Sequence, residues 1–116
     1  MVRVARVYDR PGPEAGLRVL VDRLWPRGVA RQGAPWDRWL PEVAPSPELR
    51  VWFGHDPARW GEFGRRYREE LAGPGPAQVL AALRREAEGR QLVLLTATRD
   101  PALSQAAVLA ELLRDG

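Results

Sequence analysis

The run Leu17-Arg18-Val19-Leu20-Val21-Asp22-Arg23-Leu24-Trp25-Pro26-Arg27-Gly28 decides the fold. Its first eight residues, Leu17 to Leu24, read as a β-strand whose near-continuous apolar character suits burial on both faces of a sheet. The strand runs into an Asp-Arg pair, and Pro26 then ends regular structure and leaves Arg27 in a loop. Open α/β sheets place ligands at the carboxyl ends of their strands, so charged groups at this exit mark where a site would lie.

Two further strands are expected at Val2–Tyr8 and Gln91–Ala97, the second as apolar as Leu17–Leu24. Asp9 to Gly16 reads as a loop, on its Pro and Gly content. The long stretch between the second and third strands reads as helical. Trp36, Trp39, Leu40 and Val43 fall at helical spacing within Pro35–Val43. Ser46-Pro47 and Asp56-Pro57 each pair an N-cap residue with a proline at the first helical position. After Asp56-Pro57, Trp60, Phe63, Tyr67 and Leu71 form an apolar stripe, and the opposite face offers Arg65–Glu69 and Arg66–Glu70 pairs at i, i+4. Gly73-Pro74-Gly75-Pro76 is expected to break the chain before a helix over Ala77–Glu88. Asp100-Pro101 opens a closing helix to about Arg114, with Leu103, Ala106, Ala107, Ala110 and Leu113 inward.

A long helical crossover between strands favours a parallel pair with helices on the faces. The expected architecture is α/β: a small, mainly parallel three-layer sheet with helices on both faces, in one domain over residues 1–116. The short link between the first two strands leaves two options for the first, antiparallel to the second or not adjacent to it.

Composition narrows the function. The chain of 116 residues is 45% hydrophobic and carries five Trp, as a packed globular domain does. No segment approaches the roughly 18 uncharged apolar residues of a membrane span. Met1 to Arg6 lacks the apolar stretch of a signal peptide, so a cytoplasmic location is expected and no membrane partner. There is no cysteine, which removes thiol catalysis, thiolate metal sites and disulfides. All 18 basic residues are arginine, which excludes lysine Schiff-base chemistry and a P-loop lysine. Nucleophile-elbow and dinucleotide-binding glycine patterns are also missing. The net charge of +3 is concentrated early, with eight Arg against four acids in residues 1–38.

The candidate chemistry therefore sits at two strand exits. At the first, the forked donors of Arg23 and Arg27 suit a phosphate or carboxylate, with Asp22 as acid/base group or orienter of a ligand hydroxyl. The bland reading is a structural Asp-Arg pair fastening the loop. At the second, Thr96, Thr98, Arg99 and Asp100 precede a helix whose N-terminus attracts anions. Asp100 also fits an ordinary N-cap, and Ser104 and Gln105 lie one turn inside. His55, the only histidine, is a candidate acid or base in Gly54-His55-Asp56-Pro57. With one His and no Cys no zinc site is expected. Nothing specific supports Mg²⁺ at Asp22 and Asp100, and no cofactor is named.

Arg6-Val7-Tyr8-Asp9 and the segment Arg18 to Gly28 resemble the YeaO-like family of small bacterial proteins. Trp52-Phe53-Gly54-His55-Asp56-Pro57, Arg66-Tyr67 with Glu70-Leu71, and Leu94-Leu95 through Asp100 match as well, so the resemblance covers essentially the whole chain. It implies an α/β domain of unknown function. That family often has an aromatic residue where Thr96 stands and Asn-His where Ser104-Gln105 stand. These departures weigh against a required histidine on the last helix.

The preferred expectation is an anionic small molecule bound where Arg23, Arg27 and Arg99 converge on a common hollow beside Asp22, with catalysis left open. The alternative is a nucleic-acid-binding or regulatory module using Arg10, Arg23, Arg27, Arg31 and Arg38. A protein–protein adaptor would need an exposed patch of Trp25, Trp36 or Trp39. The oligomeric state is not legible.

Overall fold

The structure is a computed structural model and describes residues 1–9 and 16–115. Four strands, β1 (Val2–Arg6), β2 (Leu17–Leu20), β3 (Arg38–Trp39) and β4 (Leu92–Thr96), form one sheet in the order β1-β4-β2-β3. Every pairing is parallel. β1 therefore takes the second of its two expected options: it lies beside β4, apart from β2. The small, mainly parallel α/β class is the one expected. Most of the loop expected from Asp9 to Gly16, residues 10–15, lies outside the described residues.

The central strands β2 and β4 are buried along nearly their whole length, which explains their continuous apolar sequence. Leu17, Val19, Val21, Leu92 and Leu94 point to one face. There they meet buried residues of α1 (Pro47–Phe53), α2 (Trp60–Leu71), α3 (Pro74–Glu86) and α4 (Gln105–Asp115) in one cluster. On the opposite face Val7, Leu20, Val93 and Leu95 form a second, smaller cluster with Ala5, Trp36, Trp39 and Ala97. The layering is thus less even than expected, because the helices gather in the first cluster while Trp36 of a loop and Trp39 of β3 pack on the second.

Several boundaries move for identifiable reasons. Pro35–Val43, expected as a helix, is a loop, the two-residue edge strand β3 and a 3₁₀ turn over Pro41–Val43. Pro41 disfavours helical geometry at Leu40, and Leu20 and Val19 offer strand partners instead. Gly73-Pro74-Gly75-Pro76 is the cap and first turn of α3 and no linker. A first turn needs no N–H from its prolines. Pro57 and Pro101 each open a 3₁₀ turn, capped by Asp56 and Asp100, and the α-helix begins a few residues later. In α4 the buried residues are Ala106, Val108, Leu109, Ala110 and Leu113, with Leu103 and Ala107 only partly covered. α1 follows the sequence closely: Ser46 accepts from the Leu49 N–H at 3.2 Å, and Gly54 ends the helix in the left-handed region.

The start of β2 requires its glycine. Leu17 N–H donates to the Gln91 carbonyl at 2.8 Å. A β-carbon on Gly16 would lie 2.7 Å from that same oxygen.

Candidate functional site

Because β2 and β4 are adjacent and parallel, their carboxyl ends emerge side by side. Val21 N–H still donates to the Leu95 carbonyl at 3.1 Å, and the chain then leaves the sheet with Asp22 turned toward the β4 exit. Asp22 Oδ1 accepts from Thr96 Oγ1 at 2.7 Å and from Gln105 Nε2 at 2.6 Å, and Oδ2 accepts from Ala97 N–H at 2.8 Å. Thr98 adds its N–H and hydroxyl to Thr96 Oγ1, at 3.1 and 3.0 Å. The Asp22 backbone carbonyl accepts from the Trp39 indole at 2.8 Å. One carboxylate thus ties the ends of β2 and β4 to the first residue of α4. Three of its roughly four acceptor positions are taken.

Arg23 turns the other way. One Nη donates to the carbonyls of Ala44 and Pro45, at 3.3 and 3.0 Å. Its Nε is buried with no hydrogen-bond partner, and among the described residues no carboxylate lies within ion-pair distance. The Asp22-Arg23 sequence is therefore not an ion pair, but the fastening role of the bland expectation is met by other bonds, those Asp22 accepts at the β4 exit and those Arg23 donates to the Ala44 and Pro45 carbonyls. Such a buried donor left unsatisfied costs about 1–3 kcal/mol.

Asp22 and Arg23 line a cleft of about 410 Å³. Its walls include Trp25, Pro26, Phe53, Phe63 and Leu103, its polar lining also takes in Thr98, Ser104 and Gln105, and the exposed Leu24, Arg50, Val51 and His55 stand at its mouth. Phe53 and Phe63 stack with centroids 4.2 Å apart and fix the apolar wall. His55 has φ +56°, a left-handed conformation uncommon outside glycine, directly after Gly54 at φ +53°. That turn holds the imidazole at the mouth, with its ring centroid 6.1 Å from that of Phe53.

The expected convergence is partial. Asp22, Arg23, His55 and Thr98 meet at the cleft, whereas Arg27, Arg99 and Asp100 are outside its lining. Arg27 is exposed on its loop, where its carbonyl accepts from the Tyr8 hydroxyl at 3.2 Å. Arg99 is exposed. Asp100 caps the 3₁₀ turn through Ala102 N–H at 3.2 Å, the ordinary role weighed for it. Arg50, Phe53 and Val51 escaped the sequence reading, since nothing in a seven-residue amphipathic helix says which cleft its outer face borders. Gln105 was legible as a rim residue, but not as a ligand of Asp22.

Beneath the cleft, Tyr67 is fully buried and its hydroxyl donates to the Val43 carbonyl. Burial first, then the negative charges of Glu70 and Asp22, push its hydroxyl well above the ordinary tyrosine range, and Arg23 opposes them. Among the described residues no group of three or more His, Asp or Glu is arranged to hold a metal ion, and no helix is long and apolar enough to cross a membrane.

Residues 1–116 match a family described as "Inactive DUF488-N3 subclade". The chain is 50% identical over 113 residues to the uncharacterized protein Rv3073c of Mycobacterium tuberculosis (strain ATCC 25618 / H37Rv), covering 97% of this chain and 92% of that one. It is 36% identical over 113 residues to the uncharacterized protein YeaO of Escherichia coli (strain K12), covering 97% and 96%. No solved structure matches.

Proposed function

This chain belongs to the DUF488-N3i family of YeaO-like proteins, and from that premise we propose that it is a binding module which receives a phosphate- or carboxylate-bearing anion in the cleft at the ends of β2 and β4. The observation that carries the reading is Arg23, a partly exposed guanidinium lining the cleft with no carboxylate partner among the described residues. An anion in the cleft would meet the solvent-facing part of this guanidinium, and charge-assisted bonds to guanidinium are among the stronger ones available. Arg50 adds a second positive group at the mouth, while Asp22, the one carboxylate in the lining among the described residues, is already engaged by three donors.

Binding is favoured over catalysis for two reasons. A carboxylate whose oxygens are held by three donors has little left with which to reach a substrate, and the family description itself contains the word inactive. The nucleic-acid alternative finds less support. Arg38 is bridged to Glu86 at 2.5 Å, and Arg31 lies over the rings of Trp25 and Trp39, at 4.5 and 5.6 Å. Arg10 lies outside the described residues. A gel-shift titration at two salt concentrations separates the readings, because phosphate-backbone binding falls steeply with salt.

The test is thermal stability in the presence of inorganic phosphate and of octanoate. An anion at about a hundredfold excess over its Kd stabilises by about 2.7 kcal/mol, roughly 10 °C for a domain of this size. The shift should vanish in Arg23→Gln and shrink in Arg50→Ala, whose surface position leaves the fold intact. No shift with either anion in the unaltered protein overturns the proposal.

A further inference from the structure

The mouth of the cleft carries a feature that a small anion does not explain. Four large hydrophobic side chains stand exposed among the described residues, Met1, Tyr8, Leu24 and Val51. Two of them, Leu24 at 67% and Val51 at 79%, belong to this one cleft. They come from different segments, the loop after β2 and the outer face of α1. Single exposed apolar residues are ordinary, but apolar residues gathered around one concavity mark an interaction site. Both are mostly exposed although they line the cleft, and a bare inorganic anion offers no apolar surface to cover them.

Charge selects the occupant. The chain neighbours of these two apolar lip residues, Arg23 and Arg50, line the same cleft, neither ion-paired among the described residues, and the Asp22 carboxylate is occupied. We infer that the cleft docks a polypeptide segment of another protein in which acidic and apolar residues are interleaved, a carboxylate reaching Arg23 and apolar side chains covering Leu24 and Val51. An extended segment turns successive side chains to opposite sides and rises about 3.3 Å per residue, which lets one short stretch supply both kinds of group to a cleft flanked by lips. This inference rests on the anion-binding reading above and names the partner that presents the anion. The tryptophans first considered for such a surface are not part of these lips. Trp25 packs edge-on against Trp36 and Trp39, with centroids 4.8 and 5.4 Å away, and all three are only partly exposed.

Fluorescence anisotropy with labelled, end-blocked peptides tests it, using three probes: alternating leucine and glutamate, leucine and lysine, and serine and glutamate. The leucine–glutamate peptide should bind, the other two at least roughly tenfold more weakly. The double substitution Leu24→Ser with Val51→Ser, at exposed positions that leave the core untouched, should cost that peptide roughly tenfold. The same variant should keep its thermal shift with inorganic phosphate. Arg23→Gln should lose both.

Equal binding of the lysine or serine peptide overturns the inference. So does tight binding of octanoate without peptide binding, which assigns the lips to a small amphiphile and leaves the anion reading standing. A dimer in analytical ultracentrifugation that the lip variant dissociates assigns them to a second copy and overturns it too. If neither peptide nor small anion binds, both readings fall together.

Discussion

Two places in this protein collect arginines, and they treat them in opposite ways. On the outer face of α2, Arg65 reaches Glu62 at 2.5 Å and Glu69 at 2.8 Å, while Arg66 reaches Glu62 at 2.7 Å and lies 4.4 Å from the centre of the Trp52 ring. Each charge there has its opposite one turn away, in water. At the cleft, Arg23 and Arg50 have no such partner among the described residues. Positive charge as a total says little about a ligand. What differs is whether the protein neutralises its own charge: it does so on α2, whereas at the cleft two guanidinium groups without an acidic partner among the described residues border a cavity.

Asp22 gives the largest expected effect. If the cleft is a built site, its architecture depends on this carboxylate more than on any arginine. Asp22→Ala removes the acceptor for Thr96, Ala97 and Gln105 together and strands the Ala97 N–H, at a cost of about 3 kcal/mol in urea unfolding. Asp22→Asn keeps one acceptor oxygen and should lose less. A loss below about 1 kcal/mol for Asp22→Ala would mean that the strand ends hold their places without it, and the contrast with α2 would lose its structural basis.

Tyr67 sharpens the comparison from beneath the cleft. Tyr67→Phe forfeits one hydrogen bond to Val43, about 1 kcal/mol near neutral pH. Its pH dependence is more telling. Burial raises the folded-state value above that of the unfolded chain, so above the ordinary tyrosine value of about 10 the unfolded chain releases the proton first. Stability contributed below that pH is lost as pH rises toward the raised value. Urea midpoints should fall more steeply on the alkaline side in the unaltered protein than in Tyr67→Phe. Tyr8, half-exposed and common to both, cancels. Parallel slopes would mean that Tyr67 is not shielded as the structure has it.

Much of this was legible in the sequence, and what was missed has physical causes. The buried strands β2 and β4 announce themselves because burial on both faces demands uninterrupted apolar residues, and Ser46-Pro47 announces α1 because an N-cap needs an oxygen and a first turn tolerates proline. β3 was hidden because Trp36, Trp39, Leu40 and Val43 satisfy helical spacing by coincidence. Their burial comes from the second sheet face and from a 3₁₀ turn that the sequence does not encode as a period. The site was half-legible for a related reason. Asp22 and Thr98 follow directly from strands whose adjacency could be argued, so their meeting was foreseeable. Arg27 and Arg99 follow a loop and a turn, whose directions are set by φ and ψ at a few residues, and both end outside the cleft. Arg66–Glu70 failed as a helix pair for a tertiary reason: Glu70 instead accepts from the Ser46 N–H at 2.9 Å and its hydroxyl at 2.6 Å.

The smallest expected effect lies on α2, and its smallness is the point. Hydrogen bonds from Arg65 and then Arg66 hold the Glu62 carboxyl below its ordinary range. A lowered carboxyl contributes stability above the unfolded value, and that contribution disappears as pH falls through the lowered one. All three groups face water, so salt screens them and their pairing is nearly offset by the entropy of holding long side chains still. Arg65→Ala and Glu62→Gln should each leave the urea midpoint at neutral pH and physiological salt within error. A small loss should emerge only at low ionic strength and fade on acidification. Arg50→Ala should likewise leave stability unchanged, yet it should weaken anion binding where Arg65→Ala does not. If Arg65→Ala weakens anion binding as much as Arg50→Ala, pairing does not distinguish the two arginine clusters, and the cleft loses its claim to be the place where this protein's charge is kept for a partner.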